Sequence, residues 1–193
     1  MILDIFKIPI YAKKLTLDCS HIEKYCLEKQ SKDKGRSRSN RGGWQSKNLD
    51  NNELVDLFKE IQNNVDIFSK ELLFLDSYQP QLSNKWININ YANHYNLSHI
   101  HPHSIISGVF YVKGFDTSPI TFHHPADQLM SYDFNNHLFK KNNEYNSEYI
   151  DLKGITGLLY LFPSWLKHGV VPHYNKDHRI SISFNTQFKE NAN

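Results

Sequence analysis

From Trp86 to Asn185 apolar and polar residues alternate with a period of two, and no helix-length apolar pattern interrupts the stretch. The strand-like runs are WININYANHYNLSHIHPH (86–103), SGVFYVKGF (107–115), PITFHHP (119–125), SEYIDL (147–152), TGLLYLFP (156–163), WLKHGVV (165–171) and HRISISFN (178–185). Gly, Pro, Asn and Asp punctuate them, which marks turns between short strands. Parallel strands need long crossovers, usually helical, so a parallel βαβ sheet is disfavoured. Roughly eight strands of this kind predict an antiparallel double-sheet barrel of jelly-roll type.

The preceding part of the chain reads differently. LDIFKIPIY (3–11) is expected to be a strand ended by Pro9 and its neighbours. A helix is predicted over Ser20–Gln30, capped by Ser20 and carrying Ile22, Tyr25, Cys26 and Lys29 at helical spacing. KDKGRSRSNRGGWQS (32–46) has no periodicity and reads as a basic loop. Leu54, Phe58, Ile61, Val65, Phe68 and Leu72 then step by 4, 3, 4, 3 and 4, the clearest helix in the chain, with Asn51 or Asn52 as its cap. The expected organisation is a single domain over 1–193. Residues 1–80 supply helical support and a first strand, residues 86–188 form the jelly-roll core, and the helices pack outside one sheet. The polar segment 126–149 is expected to be a long loop over the barrel mouth.

Composition narrows the function classes. A length of 193 residues with 39% hydrophobic and 13% aromatic content describes a globular chain with a full core. A formal charge of +2 is too small to argue for nucleic acid. No stretch approaches the ~20 apolar residues of a membrane span, and the start lacks the pattern of a secretory signal. Cys19 and Cys26 have neither CxxC nor Cys/His spacing, so they are expected to be reduced thiols in a cytoplasmic protein. Eleven histidines are many for this length and raise the prior for a metal site.

Three features can carry chemistry. His99 and His101 flank Ile100, and alternate residues of a strand share a face, so both imidazoles can serve one metal. Two rim histidines with hydrogen-bonded imidazoles would also account for the pair taken in isolation. His168 follows Pro163, where a strand turns, and in a jelly roll a late strand runs beside the early one. In HRISISFN, alternation puts Ile180, Ile182 and Phe184 on one face and Arg179, Ser181 and Ser183 on the other. An inward arginine requires an anionic partner. That partner is a structural Asp or Glu, or a bound carboxylate held in bidentate geometry.

Taken with GGWQS (42–46) and WININ (86–90), the runs HIHPHSIISGVFYV (99–112), LLYLFPSWLKHGV (158–170) and RISISFN (179–185) resemble the Fe(II)/2-oxoglutarate-dependent oxygenase superfamily, more narrowly a bacterial and phage group within it. The resemblance implies a double-stranded β-helix, Fe(II) as metal, and 2-oxoglutarate and O2 as cosubstrates. It further implies release of succinate and CO2 with oxidation of a C–H bond. Carried over by position, His99 and His168 match the two ligand histidines, Arg179 the 2-oxoglutarate arginine and Ser181 its companion hydroxyl. The chain departs from the usual HxD motif, because His101 stands at the carboxylate position. The expected metal set is His99, His101 and His168, with Asp116, Asp127 or Asp133 as alternative carboxylates and His103, His123 or His124 as alternative histidines.

Asn88 and Asn90 are expected beside the cosubstrate. Trp44, Tyr91, Tyr111 and His123 are expected toward the substrate, with Trp86 lining the cavity. The substrate class is a peptide, a protein or a small metabolite, and homodimerisation is left open. The basic loop (Lys32, Lys34, Arg36, Arg38, Arg41) reads either as a lid touching an anionic substrate or as a solvated loop. Two rival readings are a three-histidine dioxygenase that needs no 2-oxo acid, and a non-catalytic metal-binding barrel.

Overall fold

The computed structural model describes residues 3, 5–75, 77–133 and 138–190. It is mainly β, a jelly roll of two antiparallel sheets with helices on one of them. The elements are β1 Tyr11–Lys14, α1 Cys19–Lys32, β2 Asn40–Arg41, β3 Trp44–Gln45, α2 Val55–Glu71, β4 Tyr78–Asn90, β5 Tyr95–His99 and β6 Ile106–Lys113. They continue as β7 Ile120–His123, α3 Asp127–Asp133, β8 Tyr149–Leu152, β9 Leu158–Pro163, β10 His168–Val170 and β11 Arg179–Glu190. The six-stranded sheet has the order β1-β9-β6-β11-β4-β3, and the five-stranded sheet β2-β5-β10-β7-β8. The described pairings are antiparallel.

Alternation along the six-stranded sheet creates two cores. Ile87, Ile89, Phe110, Leu159, Leu161, Ile180, Ile182 and Phe184 point to the helices and meet Ile61, Val65 and Phe68 of α2. Their sequence neighbours Val109, Tyr111, Tyr160 and Phe162 point the other way, into the space between the sheets, and meet Ile120, Phe122 and Leu166. Each fully buried aliphatic or aromatic side chain contributes roughly 1.5–3 kcal/mol. The helical face is therefore a packed support, and the inter-sheet space is free to carry polar groups.

Several element boundaries depart from the expected ones. The N-terminal strand is Tyr11–Lys14, starting where LDIFKIPIY ends, because its partners Leu158–Leu161 lie opposite that later segment. Pro9 offers no N–H for a ladder, and Ile8 and Ile10 instead pack on the inter-sheet core. Asp18, not Ser20, caps α1, accepting from the N–H groups of Ser20 and His21 at 3.1 and 3.2 Å. Leu54, in a left-handed conformation, precedes α2 without a side-chain cap. Asn51 cannot serve there, since its Oδ1 accepts from Lys85 Nζ at 2.6 Å.

The basic loop holds two short strands, which close the edges of both sheets by pairing β2 with β5 and β3 with β4. Residues 86–103 form two strands rather than one, separated by a turn after Asn90, and β4 starts as early as Tyr78. The segment 126–149 begins with the short helix α3, and its residues 134–137 lie outside the described part of the chain. Cys19 and Cys26 are free thiols, with Cys26 buried. No described helix is long and apolar enough to cross a membrane.

Candidate active site

β5 and β10 are neighbours, and their register sets His99 opposite His168. A register shift between His168 and Val170 bends β10 at this point. Gly169 permits the close approach, for a Cβ there would meet Ser98 Oγ at 2.8 Å and Asn96 O at 3.1 Å. His101 lies just past the end of β5, where its N–H donates to Ser164 O at 3.0 Å. The three rings gather with centroids 4.7 to 5.1 Å apart. One ligand atom from each lies within 4.8 Å of the others, and this is the only such histidine cluster among the described residues.

Hydrogen bonding selects which nitrogen each ring presents. His99 Nδ1 contacts Leu97 O at 2.7 Å, and His168 Nδ1 contacts Leu166 O at 2.8 Å. A carbonyl can only accept, so both rings carry their proton on Nδ1 and leave the Nε2 lone pair free. His168 Nε2 stands 3.3 Å from His101 Nε2. Burial, with the charge of His99 added, pushes His168 down to about 3 and His101 down to about 4. Burial likewise lowers His99. Neutral imidazoles converging in an apolar wall formed by Phe162 and Phe122 fit a cation between them.

Arg179 opens β11, between β4 and β6, and is 1% exposed. Its Nη1 donates to Ser118 Oγ, and no carboxylate pairs with it among the described residues. Burial lowers the pKa of the guanidinium, and the adjacent Tyr111 opposes that effect. Burial also raises Tyr111, whose hydroxyl has no hydrogen-bond partner. A buried cation with only hydroxyl neighbours fits a carboxylate supplied by a ligand. The arginine and the histidines face one cavity of about 50 Å³, which Asn88, Tyr111 and Ser181 also line.

The structure thus brings His99, His101, His168, Arg179, Ser181, Asn88, Tyr111 and Trp86 to one space. The other expected residues lie elsewhere. Asn90 is fully buried beside Gly43 with both amide atoms unpartnered. Trp44 packs on the helix-side core and donates Nε1–H to Asp33 O at 2.9 Å. Tyr91 is exposed and stacks near His94 and His178. His123 shares a 2.8 Å hydrogen bond with Ser98 and lines a separate cavity.

Asp116 is exposed in a turn, and Asp127 pairs with Lys167 Nζ at 2.7 Å. The side chain of Asp133 lies outside the described residues. His103 and His124 are exposed. Ser118, the hydroxyl partner of Arg179, escaped the sequence reading: it is 61 residues away and sits in no recognisable pattern.

Residues 84–185 match the model of a family described as "Putative 2OG-Fe(II) oxygenase", which spans just over half of the chain. The chain belongs to this family, whose members are 2-oxoglutarate- and Fe(II)-dependent oxygenases. No curated protein sequence matches it.

Solved structures agree on the fold. A Pseudomonas putida prolyl-4-hydroxylase superposes with a TM-score of 0.65 at 13% identity, over 93% of this chain and 92% of that one. A Trichoplax adhaerens prolyl hydroxylase, in complex with a hypoxia inducible factor oxygen degradation domain peptide fragment, gives 0.61 at 14% identity, over 93% and 83%. HygX from Streptomyces hygroscopicus, with nickel and 2-oxoglutarate bound, gives 0.62 at 8% identity, over 93% and 83%.

Proposed function

We propose that this protein is a hydroxylase coupling the oxidative decarboxylation of 2-oxoglutarate, to succinate and CO2, with insertion of oxygen into a C–H bond. In this reading His99, His101 and His168 hold Fe(II) through Nε2. Arg179 and Ser181 take the far carboxylate of 2-oxoglutarate, and Asn88 lies beside it. O2 is the oxidant: bound iron would supply the centre at which it is reduced, two electrons coming from 2-oxoglutarate as it becomes succinate and CO2 and two from the C–H bond. The chain's own residues orient the ligands and keep the site dry. Leu97 O and Leu166 O fix two of the imidazoles, and Phe122 and Phe162 exclude water from the back of His168.

The observation that carries the reading is Arg179, a fully buried guanidinium without a described carboxylate partner, facing the same cavity as three convergent imidazoles. It calls for a carboxylate-bearing ligand beside the metal, a need that 2-oxoglutarate meets through its far carboxylate. The substrate is a peptide, a protein or a small metabolite. The likeness to prolyl hydroxylases, one of them holding a peptide, supports a peptide first. The runs at 99–112, 158–170 and 179–185 support a place in the bacterial and phage group, and two free thiols suit a cytoplasmic setting.

The test is succinate formation from 2-oxoglutarate by protein loaded with Fe(II), in the presence of O2. The expected result is turnover that chelation abolishes and fresh Fe(II) restores. Oxygen uptake independent of any 2-oxo acid would sink the reading.

A further inference from the structure

Beyond the histidines the barrel opens into a second, wider cavity of about 500 Å³. Trp86, His99 and His101 line both spaces, so the outer cavity leads directly to the metal-binding nitrogens. Arg36 and Arg38 of the basic loop line the outer space only, and no Asp or Glu is among its lining residues. The loop is pinned there, since the Arg36 N–H donates to Gln45 O at 2.8 Å and β2 and β3 close the sheet edges on either side.

Arg36 is aimed rather than free. Its Nη2 donates to Asn48 Oδ1 at 3.0 Å, while Asn48 Nδ2 donates to Asn84 Oδ1 at 3.0 Å and is thereby held in place. The Arg36 Nε is buried and has no partner. Arg38 is exposed, and its guanidinium has no described partner. Burial and the like charge of Arg38 both lower the pKa of Arg36, a cost that a bound anion would remove. Neither guanidinium meets a carboxylate among the described residues, so both keep donors for an anion entering the cavity.

We propose that this mouth recognises the substrate by an oxyanion, a carboxylate or a phosphate, held between Arg36 and Arg38, while Trp86 and Leu97 cover the apolar part that reaches the histidines. The inference deepens the oxygenase reading and rests on it. The two arginine sites then divide the work: Arg179 serves the cosubstrate, and Arg36 with Arg38 selects the substrate. Guanidinium pairs suit either oxyanion, through bidentate N–H groups.

The experiment uses the full chain loaded with Mn(II) as an inert metal, with calorimetric titration of 2-oxoglutarate first. Two probe pairs follow: acetyl-Gly-Glu-Leu-Glu-Gly-amide against its Gln counterpart, and glycerol 3-phosphate against glycerol. The anionic member of at least one pair is expected to bind ten-fold or more tighter than its neutral partner. Raising salt from 50 to 500 mM should weaken that binding. Preference in the peptide pair alone identifies an acidic peptide as the source, and preference in the phosphate pair alone a phosphorylated small molecule. Arg38→Glu, at an exposed position, should abolish the preference, and Arg36→Gln should weaken it. The proposal is overturned if neither anion is preferred, or if the preference survives Arg38→Glu. A preference without any binding of 2-oxoglutarate would instead overturn the oxygenase reading and leave the anion site standing.

Discussion

His101 and His168 bring their Nε2 atoms to 3.3 Å of each other across 67 residues of chain. With its proton on Nδ1, His168 presents a lone pair at Nε2, which either a proton on His101 Nε2 or a bound cation satisfies.

Metal binding should stabilise the fold measurably. At a free metal concentration of 100 times Kd the gain is about 2.7 kcal/mol, read as a rise in Tm over chelated protein. His168→Ala should lose most of that gain, because His168 is the most buried ligand and its Nδ1 is already committed to Leu166 O. An undiminished rise in Tm for the variant would remove His168 from the ligand set.

The metal-free protein should weaken in acid, starting well above the carboxylate range. A free histidine titrates near 6.5, whereas His101 and His168 are held down to about 4 and about 3. Between those values the unfolded chain binds protons that the folded chain does not, so stability rises with pH across that window and is lost as pH falls below about 6.5. Each histidine contributes a slope of up to ~1.4 kcal/mol per pH unit there. Urea midpoints of chelated protein from pH 4.5 to 7.5 measure it, and a flat profile would contradict the assigned protonation states.

Arg179→Ala should raise the 2-oxoglutarate KM far more than it lowers metal affinity. Truncating one member of a buried charge pair costs about 2–5 kcal/mol, so a KM increase of roughly 30-fold or more is expected. Arg179→Lys should recover only part of this, since an ammonium cannot make the bidentate contact. Steady-state succinate formation with the two variants separates these outcomes, and an unchanged KM in Arg179→Ala would remove Arg179 from the cosubstrate site.

Glu53 ties α1 to the start of α2. Its carboxylate accepts from Tyr25, from Lys29 and from the Asp50 N–H. Burial alone would raise its pKa, but the hydrogen bonds from Lys29, Tyr25 and Asp50 outweigh burial and hold it low. The group therefore stabilises the fold above its unfolded pKa, and the contribution is lost as pH falls through the folded value. Glu53→Gln should cost about 1–3 kcal/mol at pH 7 and less at pH 3, by denaturant unfolding. A cost that grows in acid would refute the charge-based account.

The division of labour between sequence and structure shows in particular residues. Period-two patterning from Trp86 determined the fold class, and in HRISISFN it already sorted Ile180, Ile182 and Phe184 from Arg179, Ser181 and Ser183. The helices and the cavity occupy those two faces as expected. Alternation is a local property of the backbone, so it survives reading without a structure. His99 and His101 were legible as a pair two residues apart, although His101 lies past the end of β5 and its N–H is held by Ser164 O.

What the chain could not announce is anything that depends on which strand lies beside which. The pairing of β5 with β10, the hydroxyl that Ser118 gives Arg179 from 61 positions away, and the placement of Trp44 on the helix side all follow from long-range packing. The caps failed likewise: Asn51 was a sound local choice for α2 until the buried Lys85 claimed its side chain. Local periodicity thus determined the barrel and its candidate ligands. Only the tertiary structure decided which of eleven histidines converge and placed Arg36 and Arg38 at the mouth, because those outcomes depend on contacts between segments distant in the chain.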